Sequence, residues 1–281
     1  MSAGTTGRPK VWFITGASRG FGREFARTAL RRGDRVAATA RSLSALDDLV
    51  AKHGDRLLPL QLDVTDRAAD EAAVRQAHER FGRIDVVVNN AGYGHFGAVE
   101  EVTEAELRAQ LETNFFGALW VAQAALPILR AQGSGHVVQM SSIGGVGAFA
   151  NLGAYHASKW ALEAISESLA IEVEPLGIHV TLVEPGGFDT DWAGSSARTS
   201  PHSTTYDFVR EAAARRRGGQ APGSPAAAAA ALLEIVDSEH PPLRALFGAQ
   251  AQQIVTGIYE RRLDTWREGA ALARRAQGTT D

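Results

Sequence analysis

What most constrains this chain is an alternation of short, continuously apolar runs with stretches of helical periodicity. Val11-Trp12-Phe13-Ile14 stops at Thr15-Gly16, and from Phe21 to Arg32 the apolar side chains Phe21, Phe25 and Ala29 fall on one helical stripe that Gly33 ends. Further apolar runs occupy 36–40, 57–62, 84–88, 137–140 and 180–183, with helical patterns over 42–52 (capped by Ser42), 66–81, 103–132 and 154–174. Strands joined through helices pair in parallel, because parallel neighbours need a right-handed crossover. Strands apolar along their whole length belong to a sheet covered on both faces. The expectation is an α/β fold: a Rossmann-like doubly wound parallel sheet with helices on both faces, built as one domain from 281 residues.

The rhythm breaks over 187–224, a stretch rich in Ser, Thr, Gly, Pro and Arg that carries Phe188, Trp192, Tyr206 and Phe208. A segment this long and irregular in a compact domain reads as a lid over a functional site, with Trp192 and Phe208 as side chains able to pin it. Ser224 and Pro225 then match an N-cap and first helical position, 243–247 reads as a last strand, and 249–276 as a final helix. The expected organisation is a single domain, 1–281, with a cofactor-binding and catalytic core over 10–186, a lid over 187–224 and a C-terminal helical extension over 225–281.

Composition narrows the partners. A net charge of −3 gives no long-range attraction for nucleic acid or an anionic membrane. The run Arg215-Arg216-Arg217 beside Gly218-Gly219 reads as a solvated loop edge. Without cysteine there is no disulfide, thiolate nucleophile or Cys-ligated metal, and the eight histidines show no ligand spacing, so no catalytic metal is expected. The polar opening and the lack of a long apolar run point to a cytoplasmic protein with no membrane association.

The first motif is Thr15-Gly16-Ala17-Ser18-Arg19-Gly20-Phe21-Gly22, where the first strand meets the first helix. A dinucleotide pyrophosphate needs close backbone approach and the free amides of a helix N-terminus. Gly16 permits the sharp turn, Gly20 admits the pyrophosphate, and Gly22 allows close helix–sheet packing. The spacing, G-x3-G-x-G, differs from the common G-x-G-x-x-G fingerprint. The second strand ends Ala38-Thr39-Ala40-Arg41, without the carboxylate that usually holds a ribose 2′-hydroxyl. A guanidinium there suits a 2′-phosphate, and Arg19 supplies a second charge, so NADP(H) is expected over NAD(H).

The second motif is Tyr155-His156-Ala157-Ser158-Lys159, whose Tyr and Lys share a helical face. A free phenol, with a pKa of about 10, exchanges protons poorly near neutrality, and an adjacent ammonium favours its ionised form. Such a pair is common on helix surfaces and by itself says little. Its context adds weight: Ser142 lies thirteen residues upstream, just after a strand, at the sheet edge where open α/β folds bind ligands.

Together these motifs resemble the short-chain dehydrogenase/reductase superfamily, in its single-domain branch. The resemblance runs from about Lys10 to Trp192 and includes the glycine loop, Asp63-Val64, Asn89-Asn90-Ala91-Gly92, Asn114, Ser142, Tyr155, Lys159 and Pro185-Gly186-x3-Thr190. It implies a catalytic set of Asn114, Ser142, Tyr155 and Lys159. Tyr155 is then the acid/base, Ser142 a hydrogen-bond donor to the reacting oxygen, Lys159 the holder of the nicotinamide ribose, and Asn114 the anchor of a proton-relay water. Gly16, Ser18, Arg19, Gly20, Phe21, Gly22, Arg41, Asp63, Val64, Asn90, Ala91, Gly92, Tyr155, Lys159, Pro185, Gly186 and Thr190 are the expected cofactor contacts. Relatives pair subunits through the helices at 103–132 and 154–174, which implies a homo-oligomer.

The loops after Gly92, over 144–152 and after Gly186 bring His95, Phe96, Phe149, Leu152, Phe188 and Trp192 toward the site. This apolar lining suggests a hydrophobic ketone or secondary alcohol, with His95, Phe149, Trp192 and Ser142 as expected substrate contacts. A loop histidine is at least as often structural, so His95 stays open. Two alternatives remain: an epimerase or other relative without net redox change, and an NADP(H)-sensing regulatory protein.

Overall fold

The computed structural model describes residues 8–217 and 221–278. The strands are β1 Val11–Ile14, β2 Arg35–Ala40, β3 Leu57–Gln61, β4 Val86–Asn89, β5 His95–Phe96, β6 Gly135–Met140, β7 Ile178–Pro185, β8 Arg198–Thr199 and β9 Arg244–Phe247. The helices are α1 Gly20–Arg32, α2 Asp47–His53, α3 Arg67–Phe81, α4 Glu104–Leu111, α5 Gly117–Gln132, α6 Ile143–Val146, α7 Gly153–Val173, α8 Asp207–Arg217, α9 Pro225–Asp237, α10 Ala249–Glu268 and α11 Ala270–Ala276.

Seven strands form one all-parallel sheet in the order β3-β2-β1-β4-β6-β7-β9. This is the doubly wound arrangement the apolar rhythm predicts. Alternation along β1 builds both faces: Trp12 and Ile14 enter the layer with Phe25, Leu30 and Leu232, and Val11 and Phe13 enter the layer with Val74, Val121 and Leu129. The Trp12 indole donates to Asp34 at 2.8 Å, so the one polar atom of that buried ring is satisfied. From β1 the chain winds to β2 on one side, and it later returns to β4 on the other. The loops at the C-terminal ends of β1 and β4 therefore diverge and open a crevice.

Four expectations are revised. The helix expected over 103–132 is α4 and α5 separated by a π-turn, Glu112–Phe116. The final helix is also two, α10 and α11, meeting at Gly269. The described part of the stretch 187–224 is more regular than its composition implies. Its β8 pairs in parallel with β5, α8 follows, and Glu101 fastens the segment by accepting from Ser203 N at 2.7 Å and pairing with Arg210. Ser42 does not cap by its side chain; a short 3₁₀ turn, Leu43–Leu46, precedes α2. Within the basic run Arg215 pairs with Glu211 at 3.6 Å, and Gly218 and Gly219 lie outside the described residues. Among the described residues no helix is long and apolar enough to cross a membrane.

Candidate active site

The glycine loop shows why those positions lack side chains. Gly16 and Gly20 adopt φ of +66° and +56°, the left-handed region where a Cβ is strained. A Cβ at Gly22 would sit 2.4 Å from Asn90 Nδ2 and 2.5 Å from the Gly16 carbonyl. Asn90 itself holds the loop, donating from Nδ2 to the carbonyls of Thr15 at 2.9 Å and Gly16 at 3.1 Å. The backbone N–H groups of Asn90 and Ala91 both donate to the Thr15 hydroxyl. Asn90 is thus a clamp on the turn, a role its sequence motif does not reveal. Arg19 precedes α1 at the N-cap position and makes no side-chain cap, leaving the first amides of the helix without a side-chain partner.

Two lobes fill that crevice. The first, of about 530 Å³, is lined by Gly16, Ser18, Arg19, Gly20, Phe21, Arg41, Asp63, Val64, Asn90, Ala91 and Gly92 among others. The second, of about 600 Å³, is lined by Ser142, Phe149, Leu152, Tyr155, Lys159, Pro185, Gly186, Phe188 and Trp192. Phe21, Asn90, Gly92, Tyr93, Thr190 and Trp192 border both, so the lobes are continuous. Of the expected cofactor contacts only Gly22 lines neither lobe; it is packed beneath the loop against Asn90.

At the first lobe's rim Arg41 is exposed and forms no ion pair among the described residues, while its carbonyl accepts from Gln61 at 3.1 Å. Arg19 differs: its guanidinium pairs with Asp191 at 2.9 Å, linking the glycine loop to the segment after β7. Asp63 turns its Oδ1 back to the amide and hydroxyl of Thr65, at 3.1 and 2.9 Å.

The far end of the crevice is assembled from β6, α6 and α7. Ser142 caps α6, its Oγ accepting from Gly144 N at 3.0 Å. Lys159 Nζ donates to the Met140 carbonyl at 2.6 Å and lies 5.9 Å from the centroid of the Tyr155 ring. Burial pushes the Tyr155 phenol up to about 12, against the downward pull of a hydrogen bond with Ser142. Burial also lowers Lys159 to about 8, against the attraction of Glu163. In this environment burial, rather than the neighbouring ammonium, dominates the phenol. Asn114 sits in the π-turn, a local break often found where a helix serves a site. Its amide bonds both backbone groups of Tyr93, at 3.0 and 3.1 Å, and donates to Ser158 Oγ at 3.2 Å. Its side chain therefore fixes the loop after β4.

The Trp192 ring packs edge-on at 5.0 Å from Tyr155 and 5.5 Å from Phe96, in a notch where a Gly94 Cβ would come within 2.7 Å of it. Phe149 packs on His156, whose pKa burial lowers to about 4. Two of the side chains considered for this region sit away from the crevice. His95 borders neither lobe, because the β5–β8 pairing turns it inward to Ser200 Oγ at 2.8 Å, and Ser200 in turn donates to Glu106. Phe208 is 66% exposed and lines neither lobe. Residues that the motifs do not single out include Tyr93 and Met140 in the lining, and Gly94, which admits Trp192.

A doubly wound sheet with a glycine-cradled crevice leading to Ser142, Tyr155 and Lys159 defines a dinucleotide-dependent oxidoreductase class. The family model for short chain dehydrogenases matches residues 10–201, and the chain belongs to that family. It is 45% identical over 246 residues to the oxidoreductase BOA17 of Botryotinia fuckeliana, covering 86% of this chain and 90% of that protein. It is 36% identical to the 3-ketodihydrosphingosine reductase of Bacteroides thetaiotaomicron, over 87% and 90% of the two chains. A short-chain dehydrogenase from Streptomyces avermitilis superposes with a TM-score of 0.91 at 43% identity, covering 97% of this chain and 100% of the other. An alcohol dehydrogenase from Thermococcus sibiricus complexed with 5-hydroxy-NADP gives 0.72 at 28% identity, over 85% and 96%. The chain is an oxidoreductase of that family, and its solved relatives include the complex with 5-hydroxy-NADP and a short chain dehydrogenase from Burkholderia cenocepacia in complex with NADP.

Proposed function

We propose that this oxidoreductase uses NADP(H) to move a hydride between the nicotinamide and a hydrophobic ketone or secondary alcohol. The observation that carries the reading is the continuity of the two lobes: the glycine cradle opens directly onto Ser142, Tyr155 and Lys159. The residues present fit a dinucleotide. Gly20 is left-handed with nothing nearer than Thr190 at 3.7 Å from a Cβ placed there, and α1 offers uncapped amides. Arg41 forms no ion pair among the described residues and stands where a carboxylate would favour the cofactor without a 2′-phosphate, and the Thermococcus relative is one whose complex holds an NADP derivative.

The bound nicotinamide supplies or accepts the hydride. The chain's own residues do the rest. Tyr155, buried and in its acid form at neutral pH, gives its proton to the carbonyl oxygen. Ser142 donates a hydrogen bond to that same oxygen as charge develops on it. The Lys159 ammonium, 5.9 Å from the phenol ring, balances the phenolate left behind. Phe149, Leu152, Phe188 and Trp192 exclude water and offer apolar surface with no fixed charge, which suits a bulky neutral carbonyl. The name of the Bacteroides relative, a reductase of a keto compound, supports the same direction. Residues 187–224 act as the lid, and Trp192 is its contact over Tyr155.

NADPH consumption with a panel of bulky ketones, comparing wild type with Tyr155→Phe, tests this reading. Product formed without net NADPH consumption would favour the epimerase alternative instead. Exposed Trp160, Ile165 and Ile171 on α7 and Leu107 on α4 support a homo-oligomer, and the reading places the enzyme in the cytoplasm.

A further inference from the structure

Beyond Lys159 on α7, at the same four-residue step that separates it from Tyr155, lies Glu163, and Glu167 follows one step later. Glu163 is only 5% exposed, and a second buried carboxylate, Glu184 of β7, is 2% exposed. One guanidinium serves both. Arg244 Nε of β9 lies 3.3 Å from Glu163 and 3.4 Å from Glu184, while its Nη2 reaches outward to Glu167 at 3.0 Å. Gly145 of α6 leaves room for this group: a Cβ there would come within 2.5 Å of Ser141 Oγ and 3.1 Å of Glu163 Oε1. None of these residues takes part in the chemistry described above, and Ser141 is the immediate neighbour of Ser142.

Two buried carboxylates sharing one arginine do not both ionise easily. Burial and the charge of Glu163 push Glu184 up to about 7, with Arg244 pulling against them. Burial raises Glu163 as well, but the Ser141 hydroxyl, Arg244 and Lys159 all draw it back. Glu163 faces two cations and Glu184 one, an arrangement that favours the charge on Glu163 over the charge on Glu184. The titratable groups facing Lys159 are Tyr155 and Glu163, both from its own helix. The end of β6 presents the neutral Met140 carbonyl, and the π-turn presents the neutral Asn114 amide behind Gly92.

We propose that Glu163 is a positioning residue for the Tyr155–Lys159 pair: its buried carboxylate, anchored by Arg244 and one helical turn from Lys159, sustains the charge of the Lys159 ammonium. The inference rests on reading that pair as the reacting groups, and it adds the charge that sustains them. Glu163 touches neither substrate nor cofactor and acts only through Lys159.

The chain has three lysines, Lys10, Lys52 and Lys159, so the side-chain nitrogens of ¹⁵N-lysine-labelled protein give a spectrum simple enough to titrate residue by residue. Lys159→Arg assigns the signal. In Glu163→Gln the Lys159 midpoint is expected to fall by about one pH unit, and the alkaline limb of log kcat against pH should move down with it. Arg244→Gln should lower the midpoint too, because Glu163 then loses the cation that anchors its charge, and this variant carries the test if Glu163→Gln fails to fold. Glu167→Gln, altering the exposed carboxylate, should leave the midpoint in place. An unmoved Lys159 midpoint in Glu163→Gln, or an equal shift in Glu167→Gln, overturns the proposal. The titration needs no turnover, so failure of the acid/base reading, seen as activity surviving Tyr155→Phe, is separable from failure of this one.

Discussion

Gly22→Ala is the most exacting test of how the cofactor cradle is built. The added methyl carbon would lie 2.4 Å from Asn90 Nδ2 and 2.5 Å from the Gly16 carbonyl, and one of those is backbone. Asn90 must rotate away, which breaks its bonds to the Thr15 and Gly16 carbonyls. Overpacking of this kind costs about 1–3 kcal/mol, and each lost hydrogen bond about 0.5–1.5 kcal/mol. Against this, alanine gains about 1 kcal/mol over glycine within a helix. The net is a loss of about 1–5 kcal/mol, or a fall in Tm of roughly 2–4 °C per kcal/mol for a chain of this size. Gly257 in α10 supplies the matched control. There a Cβ meets only the tip of Arg261 at 3.5 Å, so Gly257→Ala should be neutral or stabilising by up to about 1 kcal/mol. Thermal melts of both variants, with and without NADPH, read the result. The cofactor's stabilising increment should vanish in Gly22→Ala and persist in Gly257→Ala. A Gly22→Ala protein that melts and binds NADPH like the wild type would refute the packing argument.

Other expectations follow from single contacts. Arg41→Asp should lower the preference for NADPH over NADH in kcat/KM by about 10–100-fold, the worth of one or two charge-assisted phosphate contacts, and an unchanged ratio would remove Arg41 from cofactor choice. Glu101 is held down at about 2 first by its hydrogen bond with Arg210. Its folded value is below its unfolded one, so its contribution is complete above the ordinary carboxylate range and fades as pH falls toward about 2. Glu101→Gln should therefore flatten the loss of Tm on acidification in that window, and an unchanged slope would contradict the pairing. Light scattering on the purified chain should give a multiple of the 29.9 kDa monomer, and a monomeric mass would sink the proposed homo-oligomer.

The fold was legible in the sequence because its signals are local. A buried parallel strand is apolar along its length, and Gly16, Gly20 and Gly22 are demanded by contacts within one turn or with the neighbouring loop. Ser142, Tyr155 and Lys159 are spaced along two consecutive elements, so sequence order places them together. What was not legible depends on distant partners. The two-residue strands β5 and β8 pair across more than a hundred positions and leave no periodicity, yet that pairing turns His95 away from the crevice. The π-turn at Asn114 is hidden because the helical pattern runs through it on both sides. The Glu163–Glu184–Arg244 group joins α7, β7 and β9, each carboxylate resembling a surface residue until burial is known.

The central claim is that Tyr155 moves the proton. Tyr155→Phe removes one oxygen and leaves the packing against Trp192 available. General acid–base catalysis contributes about 10²–10⁴-fold, so kcat for ketone reduction should fall by at least about 10²-fold. NADPH binding, read by protein fluorescence quenching, should stay near its wild-type strength. A variant that binds NADPH normally and still turns over within a few-fold of wild type would contradict the account.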